Sequence, residues 1–511
     1  MQILQTEILV IGSGFGAAAP AMRLSEAGCR VLMLEKGGNI VPEKDFRQTN
    51  DPKYLLRYLK GTSAETIGFT YAEGLGGGSG FYEMVSLRAP SMVFDLTDRD
   101  GRRLWPGGID RRAMDHYYDL AEKMLHVEQI GVDEIPKSGV AFARLMKNLG
   151  YSCDRARYAV KGCVGSGYCV SGCIYGAKQS LHLNYIPQAR KAGTGILTDV
   201  EALRIRPLCP ARDSGPNRTR IANIPERYEV ECRNSATGET LSVRAKVVIL
   251  GGGTVGTAKL LLASGELMPR LSDHVGKNIA FNGSVKAVGV LPEGFLDADM
   301  LSGRSHPGMI SYHFLETLGI TISCAKPLPL HAVSAARLVL DGEQRDPDYW
   351  GDAHVELMKL FRRRMVVLYA LGLTPPSASI RLRRDGQVEP GLEIDDGLAA
   401  YYRNTKAILH SILTRNGARV VKATGVNEEG AAYDGIRFET THMIGSCRMA
   451  DTKERGVTDA YGEVFDYPGL FVTDGAAIPT SLAVNSSLTI LANAERIAAN
   501  LVRRFRMRPF N

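Results

Sequence analysis

No stretch of this 511-residue sequence approaches the ~20 consecutive apolar residues that a membrane-spanning helix needs. No secretory leader is expected either, because the first apolar run begins almost at Met1 with Glu7 inside it, and a cytoplasmic protein is expected. Charge of one sign is scarce as well: 62 Lys and Arg stand against 55 Asp and Glu, and the net +7 is dispersed. The local exceptions, Arg362-Arg363-Arg364 and Arg503, Arg504, Arg506 and Arg508, read as solvated helix faces, so nucleic acid is not an expected partner. Paired cysteine motifs are also lacking. The nine cysteines are an odd count, and Cys163, Cys169 and Cys173 follow C-x5-C-x3-C without a C-x2-C pair. Zinc needs about four ligands and an iron–sulfur cluster meets the same shortage, so no metal is expected and a compact loop with reduced, buried thiols fits better.

What is present is concentrated at the start. Glu7–Ile11 (EILVI) is a short β-branched run that reads as a buried parallel strand. It enters Gly12-Ser13-Gly14-Phe15-Gly16-Ala17, and small residues through Ala27 continue as a helix that Gly28 ends. Arg30–Leu34 forms a second strand, followed by Glu35 and Lys36. This is G-x-G-x-x-[GA] in its strand–turn–helix setting, with an acid after the second strand. Gly12 and Gly14 allow a tight turn and close approach to a pyrophosphate, and the helix start offers free N–H groups. Glu35 suits a ribose diol and would repel a 2′-phosphate. The bland alternative is an ordinary βαβ turn.

Further along, Gly74–Gly80 holds five glycines in seven residues, either a flexible linker or a second backbone stretch against a cofactor. Residues 111–151 read as helical. Lys246–Leu250 is another buried strand, leading through Gly251–Gly253 into a helix, but no acid follows at the right distance for a second dinucleotide site. From about Gly283 to Glu439 the pattern changes to mixed segments: strands at Val285–Val290 and Ile320–Cys324, and a helix at Leu398–Asn416. Asp341, Glu343, Asp346, Asp348 and Asp352 surround Trp350 in an acidic stretch, read as a solvated loop or as attraction for an amine-bearing substrate. The last seventy residues carry His442, a strand at Gly469–Thr473, Asp474-Gly475, and Asn485-Ser486-Ser487 as capping residues of a closing helix. The expected architecture is α/β: a Rossmann-like nucleotide domain (1–285 and 441–511) interleaved with an α+β substrate domain (286–440) of mixed sheet covered by helices.

Together these stretches resemble the glucose–methanol–choline family of flavin-dependent oxidoreductases, and the cysteine loop with Asn485 is most similar to its cholesterol-oxidase-like branch. The resemblance implies FAD as cofactor, held by Gly12, Gly14, Phe15, Gly16, Ala17, Glu35 and Lys36 at the ADP end. It implies Gly76, Gly77, Gly78 and Ser79 beside the flavin, Val200 near the adenine at the end of an Ile196–Val200 strand, and Asp474, Gly475, Asn485, Ser486 and Leu488 in the C-terminal flavin segment. His442 and Asn485 become the catalytic pair. The branch usually has cysteine at the Ser166 position, proline at Ser486 and asparagine near Tyr82, whose bulk here narrows the expected flavin pocket.

The implied chemistry is oxidation of an alcohol to a carbonyl, with hydride transfer to flavin N5. A neutral imidazole, ordinarily of pKa about 6.5, takes the hydroxyl proton at cellular pH, and the Asn485 amide orients the oxygen. The expected partners are a small-molecule alcohol, sterol-like or a sugar, cyclitol or aminoglycoside, and oxygen or another electron acceptor. Two alternatives stay open: a flavin-containing lyase of the same fold, like the hydroxynitrile lyases, and a nicotinamide-dependent dehydrogenase using only the first βαβ unit.

Overall fold

The computed structural model describes residues 2–49, 51–208, 221–300, 302–326, 338–340, 343–344, 351–423 and 436–505. Two parallel strands, Gln2–Ile11 and Thr240–Leu250, lie side by side in its centre, in register from Gln2 opposite Leu241 to Ile11 opposite Leu250. Ile8, Leu9, Val10 and Val248–Leu250 are fully buried, which is what a strand covered on both faces requires. Val31–Leu34 extends the parallel sheet on the other side of Gln2–Ile11, and Gly195–Leu197 forms its edge. The long strand Thr240–Leu250 serves two partners on its other edge. Tyr228–Asn234 pairs antiparallel with its first half, and Leu470–Val472 pairs parallel with its last three residues. Val200–Pro207 completes the seven-stranded sheet. The chain's far end is thereby built into the sheet that its beginning starts.

A second junction ties the ends together. The first helix, Phe15–Glu26, packs against the closing helix, Ser487–Arg504, and Arg23 Nε and Nη2 meet Glu495 Oε2 and Oε1 at 2.9 and 3.1 Å. Tyr185 donates a third hydrogen bond to Glu495 at 2.7 Å. Both charged side chains are buried, so removing one would strand the other and cost about 3–5 kcal/mol.

The middle of the chain forms an eight-stranded sheet, in the order Glu343–Gln344, Leu338–Leu340, Arg419–Ala423, Val285–Val290, Met365–Gly372, Ile320–Ala325, Met309–Ser311 and Asp154–Arg155. Every pairing in it is antiparallel, whereas the seven-stranded sheet mixes parallel and antiparallel strands, as does a small sheet of Leu59–Ser63, Ile67–Ala72 and Phe438–Thr440. The helices Lys137–Asn148 and Asp396–Arg415 cover it, sharing one apolar core with Val285, Ile320, Val366 and Leu413. Its edge strand Asp154–Arg155 comes from the N-terminal third of the chain.

Several local readings change. The helical stretch at 111–151 is two helices, Arg111–Met124 and Lys137–Asn148, separated by the strand Val127–Gln129, with Gly131 and Pro136 in the connection. The strand expected at Ile196–Val200 is broken: Gly195–Leu197 ends, Asp199 takes a left-handed φ of 59°, and Val200 starts a new strand. Ser486 stands at the N-cap of the closing helix but makes no side-chain capping bond. Of the basic clusters, Arg362–Arg364 end the helix Asp352–Arg364, where cations suit the dipole, and Arg504 pairs with Glu463 at 2.6 Å. Arg506 and Arg508 lie outside the described residues. So do Asp341, Asp346, Asp348 and Trp350 and the side chain of Glu343; Asp352 is exposed in the first turn of its helix.

Among the described residues no helix is long and apolar enough to cross a membrane.

Candidate active site

The turn after the first strand has the geometry that a ligand-binding turn needs. Gly12 holds φ at 100°, and a Cβ there would strike the Gly251 carbonyl. A Cβ on Gly16 would strike the Asp474 backbone. Gly14 differs: its backbone is extended, at φ −74°, and an added Cβ would meet nothing nearer than Gly77 Cα at 3.9 Å. Gly14 is also the N-cap of Phe15–Glu26, which has no side-chain cap and no acid in its first turn. The positive end of the helix dipole is therefore not neutralised by any side chain of the first turn, a ready site for an anion. Phe15 packs edge-on against Tyr82 at 5.3 Å between ring centres, and Ala17 is buried in the core.

The glycine loop is not a free linker. Gly77–Gly80 forms a 3-10 turn, Gly76 holds φ at 86°, and Gly76 N donates to Ser13 Oγ at 2.9 Å. Ser13 in turn donates to Glu35 Oε2 at 2.5 Å, so one hydroxyl joins both glycine segments to the acid. Sequence reasoning passed over Ser13 because it occupies a variable place in the motif. Glu35 Oε1 accepts from Gly37 N at 2.9 Å and Gly74 N at 3.3 Å. Burial raises the pKa of this carboxyl, while those donors work against the shift. Oε2, with one protein donor, keeps a lone pair for a ribose hydroxyl. Lys36 pairs with Glu73 at 2.8 Å, and Val200 N donates to the Glu35 carbonyl at 2.9 Å. Ser79 donates to Gly76 O at 2.7 Å and accepts from Leu181 N at 3.1 Å. Gly78 faces open space. Tyr82 is anchored by its hydroxyl to Gln179 O at 3.1 Å.

Asp474 is occupied by the frame. Its Oδ2 accepts from Gly253 N at 2.7 Å and Thr257 Oγ1 at 2.5 Å, and its Oδ1 from Ala476 N at 2.8 Å. Burial pushes its pKa up to about 6 despite these bonds. The carboxylate thus covers the N-terminus of the helix Gly253–Ala263. Gly475 lies beside it, where a Cβ would be 3.0 Å from Thr254 Oγ1.

His442 and Asn485, 43 positions apart, meet: His442 Nε2 lies 3.2 Å from Asn485 Nδ2. His442 follows the strand Phe438–Thr440, and its N–H is held by Thr440 Oγ1 at 2.9 Å. The residue is half-buried, and burial, helped by the Lys286 ammonium, lowers its pKa to about 4. It is neutral at pH 7 and able to accept a proton. Asn485 is positioned from across the molecule. Asn282, fully buried, donates to Val484 O at 2.8 Å and accepts from Leu482 N at 2.7 Å. Between them Ala483 is held left-handed at φ 54°, its carbonyl taking Thr321 Oγ1 at 2.5 Å. Immediately after Asn485 comes the uncapped start of Ser487–Arg504, with Ser486 and Leu488 buried.

Two charged groups escaped sequence reading: Lys286, whose ammonium bears on His442, and Glu83, just past the glycine loop, on which Lys286 also bears. Burial raises the Glu83 carboxyl to about 7 against the pull of Lys286 and Lys178, and burial lowers the Lys286 ammonium. Neither belongs to a motif.

A separate small cleft lies at the cysteine loop, lined by Cys163, Cys169, Cys173, Lys178 and Arg304 and by neither His442 nor Asn485. The eight described cysteines are free thiols, and among the described residues no group of three or more His, Cys, Asp or Glu is arranged to hold a metal ion. Lys178 fastens this loop to the glycine loop, donating to Cys169 O at 2.6 Å and Gly80 O at 2.5 Å.

A family model described as GMC oxidoreductase matches residues 7–282, and a second with the same description matches residues 388–494. A long-chain-alcohol oxidase of Arabidopsis thaliana is 25% identical over 98% of this chain and 67% of its own length. A cholesterol oxidase of Acinetobacter baumannii is 24% identical, over 96% of this chain and 93% of its own. Among solved structures, formate oxidase of Aspergillus oryzae superposes with a TM-score of 0.68 at 15% identity, covering 98% of this chain and 99% of that one. Pyridoxine 4-oxidase of Mesorbium loti reaches 0.65 at 16% identity, covering 97% and 99%.

Proposed function

This chain belongs to the GMC oxidoreductase family, and we propose that it is an FAD-dependent enzyme that oxidises an alcohol to a carbonyl with His442 as base. The observation that carries this reading is the 3.2 Å approach of His442 Nε2 to Asn485 Nδ2, an acceptor and a donor within hydrogen-bond reach of each other.

The residues around the first turn fit an FAD diphosphate: Gly14 and Gly78 leave open space, and the uncapped helix start supplies N–H donors. Glu35 Oε2 would take the ribose hydroxyl. The uncapped helix at Ser487 would favour negative charge on the flavin's pyrimidine side. FAD, when bound, supplies the two-electron acceptor that takes the carbinol hydride at N5.

The chain's own part is positioning and proton management. An alcohol oxygen seated against both atoms would replace their direct 3.2 Å contact, donating its hydrogen to His442 Nε2 and accepting from Asn485 Nδ2. Being neutral, His442 can hold the hydroxyl proton as the carbonyl forms, a contribution of about 10²–10⁴ in rate for a well-placed base. The Asn282 clamp fixes the oxygen's second partner, so the carbinol carbon has one orientation. The reoxidant is oxygen or another electron acceptor.

The test is anaerobic mixing of the purified flavoprotein with a panel of alcohols. Bleaching of the flavin with formation of one equivalent of carbonyl is expected. A flavin that stays oxidised with every alcohol, while a cyanohydrin or other adduct is cleaved, would replace this reading with a lyase.

A further inference from the structure

His442 and Asn485 come from positions 43 residues apart, yet both are tied to one run of three residues, Ala280–Asn282. His442 is bracketed. Two positions before it, Thr440 Oγ1 donates to Phe281 O at 3.0 Å and accepts from His442 N at 2.9 Å. Two positions after it, Ile444 and Ala280 exchange backbone hydrogen bonds at 2.8 and 2.9 Å. The next residue of the run reaches the other partner. The Asn282 carboxamide accepts from Leu482 N at 2.7 Å and donates to Val484 O at 2.8 Å, directly before Asn485. The 3.2 Å approach of imidazole to amide is thus spanned through one short segment.

That segment has anchors of its own. Ala280, Phe281 and Asn282 are fully buried, Asn282 O accepts from Gly372 N at 2.8 Å, and Gly283 O accepts from the Tyr401 hydroxyl at 2.7 Å. Asn282 and Gly283 are left-handed, at φ 56° and 44°, a conformation that asparagine and glycine tolerate best. Both gripping side chains bond in two directions. A hydroxyl at Thr440 gives one hydrogen bond and receives another, and a carboxamide at Asn282 does the same. Valine in the first place would keep the shape and lose both bonds. Glycine in the second would keep the backbone turn and lose both.

We propose that Ala280–Asn282 sets the spacing of the His442–Asn485 pair, with Thr440 a positioning residue that acts through His442 and Asn282 one that acts through Asn485. The inference rests on the alcohol-oxidation reading and deepens it. Thr440 bonds to His442 N, and Asn282 bonds to Leu482 N and Val484 O, so each fixes the backbone that carries one of the pair. A misplacement of about 1 Å at a reacting group costs about hundredfold in rate. The loss falls on the limiting rate, because the alcohol's other contacts stay in place.

The experiment follows anaerobic flavin reduction, per bound flavin, in the holoenzyme. The reductant is whichever of cholesterol, dodecanol, glucose and inositol reduces wild type fastest. Thr440→Val and Asn282→Gly should each lower the limiting rate about hundredfold, with the half-saturating alcohol concentration within about threefold of wild type and flavin content unchanged. Thr440→Ser, which restores the hydroxyl, should stay within about threefold of the wild-type rate. Thr440→Val added to His442→Ala, and Asn282→Gly added to Asn485→Ala, should slow the reaction no further, since each acts through the group already removed. Thr440→Val preserves the shape, so it decides the case if Asn282→Gly does not fold. The proposal is overturned if Thr440→Val reduces its flavin at the wild-type rate, if Thr440→Ser is as slow as Thr440→Val, or if the second substitution slows both backgrounds by the same factor. A loss that only follows lost flavin overturns it as well. Should none of the four alcohols reduce wild type, or should His442→Ala be as fast as wild type, the alcohol-oxidation reading itself fails, a result distinct from the others.

Discussion

The turns Gly12–Gly16 and Gly251–Gly253 follow neighbouring parallel strands that end level with each other, Ile11 opposite Leu250, and each runs into a helix. The helix at Phe15 starts without a side-chain acceptor or an acid in its first turn, whereas the helix at Gly253 has the Asp474 carboxylate seated on its first turn. Two copies of one local pattern thus have opposite electrostatic fates. The difference comes from a residue more than two hundred positions further along the chain. A strand, a glycine turn and a helix make a possible anion site; an internal anion already in place removes it.

The comparison can be broken hardest at Gly12. Its Cβ would enter the Gly251 carbonyl and its φ of 100° forbids most side chains, so Gly12→Ala should lose more than about 4 kcal/mol of stability, read by urea unfolding. Next is Gly14→Ala, where the protein has room but the phosphate approach does not. The apoprotein should keep its Tm while FAD affinity falls about hundredfold, roughly 2.7 kcal/mol, by fluorescence titration. Equal losses in Tm and affinity would mean that Gly14 serves packing alone. On the second turn, Asp474→Asn should cost about 1–3 kcal/mol in thermal unfolding by weakening the bonds to Gly253 N and Thr257 Oγ1. The smallest effect is Gly256→Ala, in the same helix with nothing within 4 Å of the new methyl, which should gain about 0.5–1 kcal/mol.

Legibility in the sequence followed the range of the physics. Strands such as Val285–Val290 and the closing helix Ser487–Arg504 were readable because periodicity and composition are local properties. So was the first glycine turn. The break at Asp199 was not, since an aspartate between Leu197 and Val200 can equally continue a strand or turn left-handed and end it. The partners that decide function were the least visible. Nothing near Asp474 in sequence says that it caps the helix at Gly253, and nothing near Asn282 says that its amide holds the backbone before Asn485. Ser13, Glu83 and Lys286 have meaning through neighbours that tertiary packing alone supplies. His442 and Asn485 were reached through the family resemblance, because a single histidine among ten carries no mark of its own.

The most direct measurement is the rate of anaerobic flavin reduction by a saturating alcohol as a function of pH, for wild type and His442→Ala. Burial holds the His442 pKa at about 4, so the proton-accepting form persists as pH falls and is lost only as pH passes down through that value. Wild type should therefore stay fast to well below the ordinary histidine pKa of about 6.5. The variant should be about 10²–10⁴ slower and lack that acid limb, with its flavin content intact. A variant that reduces its flavin at the wild-type rate across the same range would contradict the assignment of His442 as the base.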